Sequence, residues 1–200
     1  MMKRDVVLAA VGGQGLLTIS AVMAEAARLL GLHVRQSEVH GMAQRGGVVQ
    51  GTVRFADRPI FSDLVRSGQA DLILALEPME ALRYLPLLAP DGFLLTSSVP
   101  LRNLPDYPPI AEVLAAVREI PRHVVLDADA AARAVNAPRS ANVVMLGAGA
   151  AVLGLAEDAL AEALERAFQR KPGAADANLR AFRAGLTAAR EALAREPEAS

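Results

Sequence analysis

The chain has 200 residues, a formal net charge of -1, 52% hydrophobic and 22% charged residues, and no cysteine. That length and composition suit one folded domain, residues 1–200, with a core that needs no disulfides. The interspersed, balanced charge argues against nucleic acid or an anionic membrane as partner, and the absence of thiols excludes thiolate zinc sites, cysteine nucleophiles and cysteine-ligated iron–sulfur clusters on this chain.

Met1-Met2-Lys3-Arg4 leads straight into a strand-like run without a signal-peptide layout, which points to the cytoplasm. The run Asp5 to Ala10 enters the glycine cluster Gly12-Gly13-Gln14-Gly15. A helix follows, its apolar stripe formed by Leu16, Ile19, Met23, Ala27 and Leu30, with Gly31 placed to stop it. His33 to Gln36 reads as a second strand. Ser37 to Gly47 breaks all periodicity, and Val48 to Phe55 then alternates as a half-buried strand.

Asp57-Arg58-Pro59 is a turn, and Asp71 to Leu76 is a short, continuous apolar run suited to a central strand. Pro78 fits the first turn of a helix through Met79, Leu82 and Leu85, which Pro90-Asp91-Gly92 ends before a strand at Phe93 to Thr96. Prolines between Val99 and Pro109 mark a surface loop. Val113, Leu114 and Val117 suggest a short helix, His123 to Leu126 a last strand, and Asp127 or Asp129 a helix cap.

Three helical stretches close the chain: Asn142 to Leu155, Asp158 to Gln169 and Ala174 to Arg195. The first lies in an uncharged, Gly- and Ala-rich stretch too short to span a bilayer, and reads as a buried helix. In the last, Leu179, Phe182, Leu186, Ala189 and Leu193 form a stripe that either packs on this chain or makes a subunit contact, including a homo-oligomer of the isolated chain. Strands alternating with helices predict an α/β, Rossmann-like fold: a mostly parallel sheet with helices on both faces and C-terminal helices, an antiparallel strand being compatible with it.

Two segments carry chemistry. Gly12, Gly13, Gln14 and Gly15 lie between strand and helix, where bare backbone can approach an oxyanion and a helix N-terminus offers unpaired N–H groups, so they form a candidate phosphate loop. Against the dinucleotide fingerprint GxGxxG, Ala10 replaces the first glycine, and Glu38 stands about where a ribose-binding acid is expected. The other reading of these glycines is a tight turn with close strand–helix packing. In the second segment, Glu38, His40, Gln44 and Arg45 gather an acid, an imidazole, an amide and a guanidinium before Gly46 and Gly47; Glu38 could orient His40, and Arg45 could hold a carboxylate or phosphate. A solvated loop with a subunit-contact role fits the same residues. Glu77 is suited to a ligand hydroxyl or, more simply, to capping the helix after it.

The stretch AVGGQG after DVVLA, then SEVHGMAQRGG, DLILALEPMEALRY and NVVMLGA, resembles the small subunit of indolepyruvate:ferredoxin oxidoreductase, and more broadly the gamma subunit or domain of 2-oxoacid:ferredoxin oxidoreductases. The resemblance implies a non-cofactor subunit paired with a large catalytic subunit that holds thiamine diphosphate, Mg²⁺ and iron–sulfur clusters. The assembled complex would oxidatively decarboxylate an arylpyruvate such as indolepyruvate, with coenzyme A as acyl acceptor and ferredoxin as electron acceptor. Gly12, Gly13, Gln14 and Gly15 match the family's glycine loop; Glu38, His40, Gln44, Arg45, Gly46 and Gly47 match its polar loop; Asn142 matches the later block. No GDG followed at a distance by Asn occurs to hold the metal and diphosphate of thiamine, and Asp91-Gly92 reads as part of a turn. The isolated chain is accordingly expected to be inactive. The competing readings are an independent Rossmann-type dinucleotide-binding oxidoreductase and a binding module without chemistry.

Overall fold

The computed structural model describes residues 2–40, 47–102, 106–171 and 173–195. Six strands, β1 (Lys3–Val11), β2 (His33–His40), β3 (Val48–Ala56), β4 (Ala70–Ala75), β5 (Leu88–Ser97) and β6 (His123–Leu126), form one sheet in the order β2-β3-β1-β4-β5-β6. Seven α-helices lie among the described residues: α1 (Leu16–Leu29), α2 (Pro78–Arg83), α3 (Ile110–Arg118), α4 (Ala128–Ala134), α5 (Ala141–Leu153), α6 (Glu157–Phe168) and α7 (Ala174–Arg195). The β1–β4, β4–β5 and β5–β6 pairs are parallel, whereas β3 runs antiparallel to both β1 and β2. The antiparallel strand follows from chain length, since residues 41–47 are too few for the crossover that a parallel pair requires.

Alternation along β1 feeds two cores. Val6, Leu8 and Ala10 pack with α1 and α4 to α7, while Val7 and Ala9 pack on the opposite face with Ala81 of α2 and Val117 of α3. The helices therefore cover both faces, unequally. Where α2 and α3 do not reach, the segment after β3 crosses the sheet, held by side chains: Arg35 donates to the Ile60 carbonyl, Thr52 to that of Asp63, and Arg54 to those of Ser62 and Leu64. Arg54 also grips Asp5, its register partner on β1, through Nε–Oδ1 at 2.8 Å and Nη2–Oδ2 at 3.1 Å. Asp5 is fully buried, and Lys3 Nζ lies 2.8 Å from its second oxygen, so this carboxylate is matched rather than stranded.

The apolar stripe of α7 turns inward on its own chain. Phe182, Leu186 and Ala189 are buried in the main core, with Leu179 and Leu193 packed at its margin. Two glycines set how closely α5 and α7 approach. A Cβ on Gly147 would stand 1.9 Å from the Phe182 carbonyl oxygen, and one on Gly185 1.8 Å from that of Val144. The α1 stripe is buried as expected except for Leu30, which is 42% exposed beyond the end of the helix. Gly31 adopts φ 73° at that stop. No helix among the described residues is long and apolar enough to cross a membrane.

Two boundaries differ from the sequence reading by more than two residues. Pro90-Asp91-Gly92 is not a turn ahead of the strand but part of β5, which begins at Leu88 and carries a register shift against β4 between Ala70 and Leu72. Gly92 is required there, because a Cβ would stand 2.6 Å from the Ala70 carbonyl oxygen. The segment after Gln36 is not aperiodic loop up to Gly47, since β2 continues through Glu38 to His40, paired to Gly51 and Val49 of β3. As an edge strand with polar side chains it shows no apolar alternation, and the backbone ladder alone defines it.

Candidate functional site

The glycine loop leaves the carboxyl end of β1 and is stitched down by its own glutamine. Gln14 Oε1 accepts from the Val11 N–H at 2.8 Å, while its Nε2 donates to the Leu76 carbonyl at 3.1 Å. The amide thus ties the end of β1 to the end of β4, a positioning role that the sequence did not distinguish from ligand binding. Gly13 and Gly15 take φ 102° and 82°, the left-handed region open to glycine. Gly15 serves as N-cap of α1 with no side-chain cap, so the helix presents bare N–H groups at the loop.

Asn142, in the first turn of α5, reaches across to donate to the Gly15 carbonyl at 3.2 Å. A Cβ on Gly15 would lie 2.5 Å from the same amide nitrogen. Sequence blocks more than a hundred residues apart therefore meet in one place, and both glycine and asparagine are needed for the fit. Beyond this contact opens a cavity of about 290 Å³, bordered by Gln14, Leu76, Ser97, Asp129, Arg139 and Asn142. It lies outside the carboxyl ends of β1, β4, β5 and β6, where ligands bind in open α/β sheets. Asp129 entered the sequence reading only as a helix-cap candidate, and Ser97 and Arg139 had no expected part in a site, because these residues come from separate elements that only the sheet order brings together.

The second candidate segment is described at its two flanks. His40 ends β2 at the level of Val49, and the Gly47 carbonyl accepts from the Gly12 N–H at 2.8 Å, extending the β1–β3 pairing into the glycine loop. The flanks of the segment thus arrive at the same sheet edge as the candidate phosphate loop. Gln44, Arg45 and Gly46, and the side chain of His40, lie outside the described residues. Glu38 is on the strand, where its carboxylate accepts from Gln36 Nε2 at 3.0 Å. With β3 between β2 and β1, Glu38 is two strands from the glycine loop, about 10 Å at ordinary strand spacing. A ribose-binding acid in a dinucleotide fold stands on the strand beside the loop strand, and Glu38 does not stand there.

Glu77 follows β4 and is spent internally. Its Oε2 accepts from the Glu80 N–H at 2.9 Å, capping α2, and its Oε1 accepts from the Tyr107 hydroxyl at 2.5 Å. Burial, followed by this hydrogen bond to an anion, pushes the Tyr107 phenol far above its ordinary range. His123 Nδ1 lies 2.8 Å from the Ile120 carbonyl, on the strand rather than in the cavity. Among the described residues no group of three His, Asp or Glu side chains could hold a metal ion.

These features define an α/β protein with its glycine-rich loop and a cavity at one sheet edge. Residues 5–188 match the family described as pyruvate ferredoxin/flavodoxin oxidoreductase, and the chain belongs to that family. It is 36% identical to the indolepyruvate oxidoreductase subunit IorB of Methanothermobacter thermautotrophicus, over 95% of this chain and 100% of that protein. It is 28% identical to the 2-oxoglutarate synthase subunit KorC of the same organism, over 92% and 94% of the two chains. Its fold resembles the crystal structure of the keto/oxoacid ferredoxin oxidoreductase gamma subunit from Geobacter sulfurreducens, with a TM-score of 0.68 at 27% identity, over 94% of this chain and 99% of that one. The relatives are subunits of oxidoreductase complexes, consistent with the block resemblance in the sequence.

Proposed function

We propose that this chain is the small, cofactor-free subunit of a cytoplasmic 2-oxoacid:ferredoxin oxidoreductase that acts on an arylpyruvate such as indolepyruvate. The observation that carries the reading is the end-to-end identity of 36% with an indolepyruvate oxidoreductase subunit, against 28% with a 2-oxoglutarate synthase subunit. The reaction is oxidative decarboxylation: the 2-oxoacid loses carbon dioxide, its acyl group passes to coenzyme A, and its electrons pass to ferredoxin. A chain without cysteine leaves the iron–sulfur clusters to the larger partner subunit. Thiamine diphosphate with Mg²⁺ also belongs to that partner, where it supplies the carbanion chemistry of decarboxylation.

In this reading Gly12, Gly13, Gln14 and Gly15 hold a phosphate of coenzyme A, the glycines by backbone approach and Gln14 by fixing the loop. The segment carrying Glu38, His40 and Arg45 faces the large subunit and completes its thiamine site. The Gly12–Gly47 hydrogen bond supports this, because it holds the end of the polar segment against the glycine loop.

The test is co-expression with the large subunit, followed by coenzyme A-dependent ferredoxin reduction with indolepyruvate, phenylpyruvate, 2-oxoglutarate and pyruvate. The arylpyruvates should give the highest kcat/KM; a preference for 2-oxoglutarate or pyruvate would reject the substrate assignment. Arg45→Ala and His40→Ala should leave the melting temperature of the isolated subunit nearly unchanged, and in the complex cost about 2–5 kcal/mol in assembly or turnover. Unchanged assembly and turnover would remove the polar segment from the active site.

A further inference from the structure

Pro138, Arg139 and Asn142, which border the glycine-loop cavity, also border a second one of about 480 Å³ between the first turn of α1, the turn into α5, the end of α6 and the start of α7. Ser140 and Asn178 line it, and each is only 6% exposed. Neither side chain makes a hydrogen bond to any described residue; Ser140 is the N-cap of α5, yet its hydroxyl does not cap. Both residues are thus largely buried while their polar atoms stay open to the cavity, so a ligand there can take up donors that the fold leaves unused.

The remaining polar wall is cationic. Lys171 and Arg139 line the cavity with no ion pair among the described residues, Thr18 adds an uncommitted hydroxyl, and no carboxylate takes part in the lining. Phe168 offers an aromatic wall, with Lys171 Nζ 5.9 Å from its centroid. The volume exceeds that of a single structural water, about 30 Å³, and falls within the range of small-molecule sites.

We propose that this cavity binds the phosphate group of a small phosphorylated metabolite, with Ser140 and Asn178 as donors at its wall and Arg139 and Lys171 as the neutralising charges. The same phosphate chemistry is offered by a nucleotide, including the nucleotide end of a co-substrate, and by inorganic phosphate. The assignment concerns binding by this chain alone and does not depend on the oxidoreductase reading.

The experiment is calorimetric titration of the full-length chain with inorganic phosphate and, separately, with ADP at low ionic strength. Saturable binding is expected. Ser140→Ala and Asn178→Ala should each weaken it about tenfold or more, as for a lost hydrogen bond to a charged group. Lys171→Ala should weaken binding and flatten its salt dependence. Without ligand, the unfolding midpoints of Ser140→Ala and Asn178→Ala should equal or exceed the parent's, because neither side chain makes a bond that the variant loses. Tighter binding of ADP than of phosphate would identify a nucleotide, with Phe168 contributing a face; equal affinities would identify a lone phosphate. No saturation by either probe, an affinity unchanged in the Ser140→Ala and Asn178→Ala variants, or a lowered midpoint in them, would overturn the proposal.

Discussion

The Asn142 amide nitrogen donates to the carbonyl of Gly15 at 3.2 Å and occupies the space where a side chain on Gly15 would begin. Gly15→Ala therefore meets two obstacles. The left-handed backbone costs a non-glycine residue about 1–2 kcal/mol, and the new methyl group clashes with the amide in addition. Asn142→Ala alone should lose about 1 kcal/mol for one hydrogen bond. Combined, the two changes should cost less than their sum, since removing the amide opens room for the methyl. Urea unfolding of the parent, both single variants and the double variant measures the coupling; strict additivity would mean that the contact does not determine the glycine.

Arg54→Ala should destabilise the chain by about 3 kcal/mol, because it leaves the fully buried Asp5 carboxylate with only Lys3 as counter-charge. Adding Asp5→Asn should recover part of that loss. The same substitution removes the donors to the carbonyls of Ser62 and Leu64, so limited proteolysis between residues 57 and 66 should accelerate in the native state.

Gly147→Ala should cost at least about 3 kcal/mol although alanine is the better helix former, since the added methyl meets the Phe182 backbone oxygen rather than a movable side chain. Gly173→Ala is the contrast. Gly173 has φ 72° and open space around its Cβ position, so only the backbone term of about 1 kcal/mol remains. Equal thermal shifts for the two variants would contradict close packing of α5 on α7.

Burial raises the Glu80 carboxyl above its usual 4.5, against the opposing hydrogen bond and charge of Arg83. The folded state then holds this proton more tightly than the unfolded state. The contribution to stability is full below the unfolded value and is lost as pH rises through the folded one. Glu80→Gln abolishes that titration. The stability of the variant relative to the parent should increase as pH goes from about 4 to about 7, the opposing interaction with Arg83 being already contained in the net upward shift. Chemical denaturation across that interval checks it, and a relative stability that falls with pH would show that Arg83 outweighs burial.

Most of the sheet was legible in the sequence because strands β1, β4 and β6 are short apolar runs, and α1 and α7 carry apolar residues at helical spacing. These are local signals, set by which side chains must leave water. Gly12 to Gly15 marked a strand-to-helix loop because glycine alone readily takes left-handed backbone, Gly31 marked a helix stop, and of the two cap candidates Asp127 and Asp129 it is Asp127 that accepts from the Ala130 N–H, at 2.7 Å. The extension of β2 to His40 and the start of β5 at Leu88 were not legible, since a backbone ladder on an edge strand or across a bulge leaves no apolar period. Nor could spacing along the chain reveal that Gln14 is spent on Leu76, that Asn142 closes on Gly15, or that Ser140 and Asn178 share a cavity. Those pairings exist only once the order β2-β3-β1-β4-β5-β6 and the glycine-limited approach of α7 to α5 fix the distances, because hydrogen bonds and steric fit act over a few ångströms in space and are indifferent to separation in sequence.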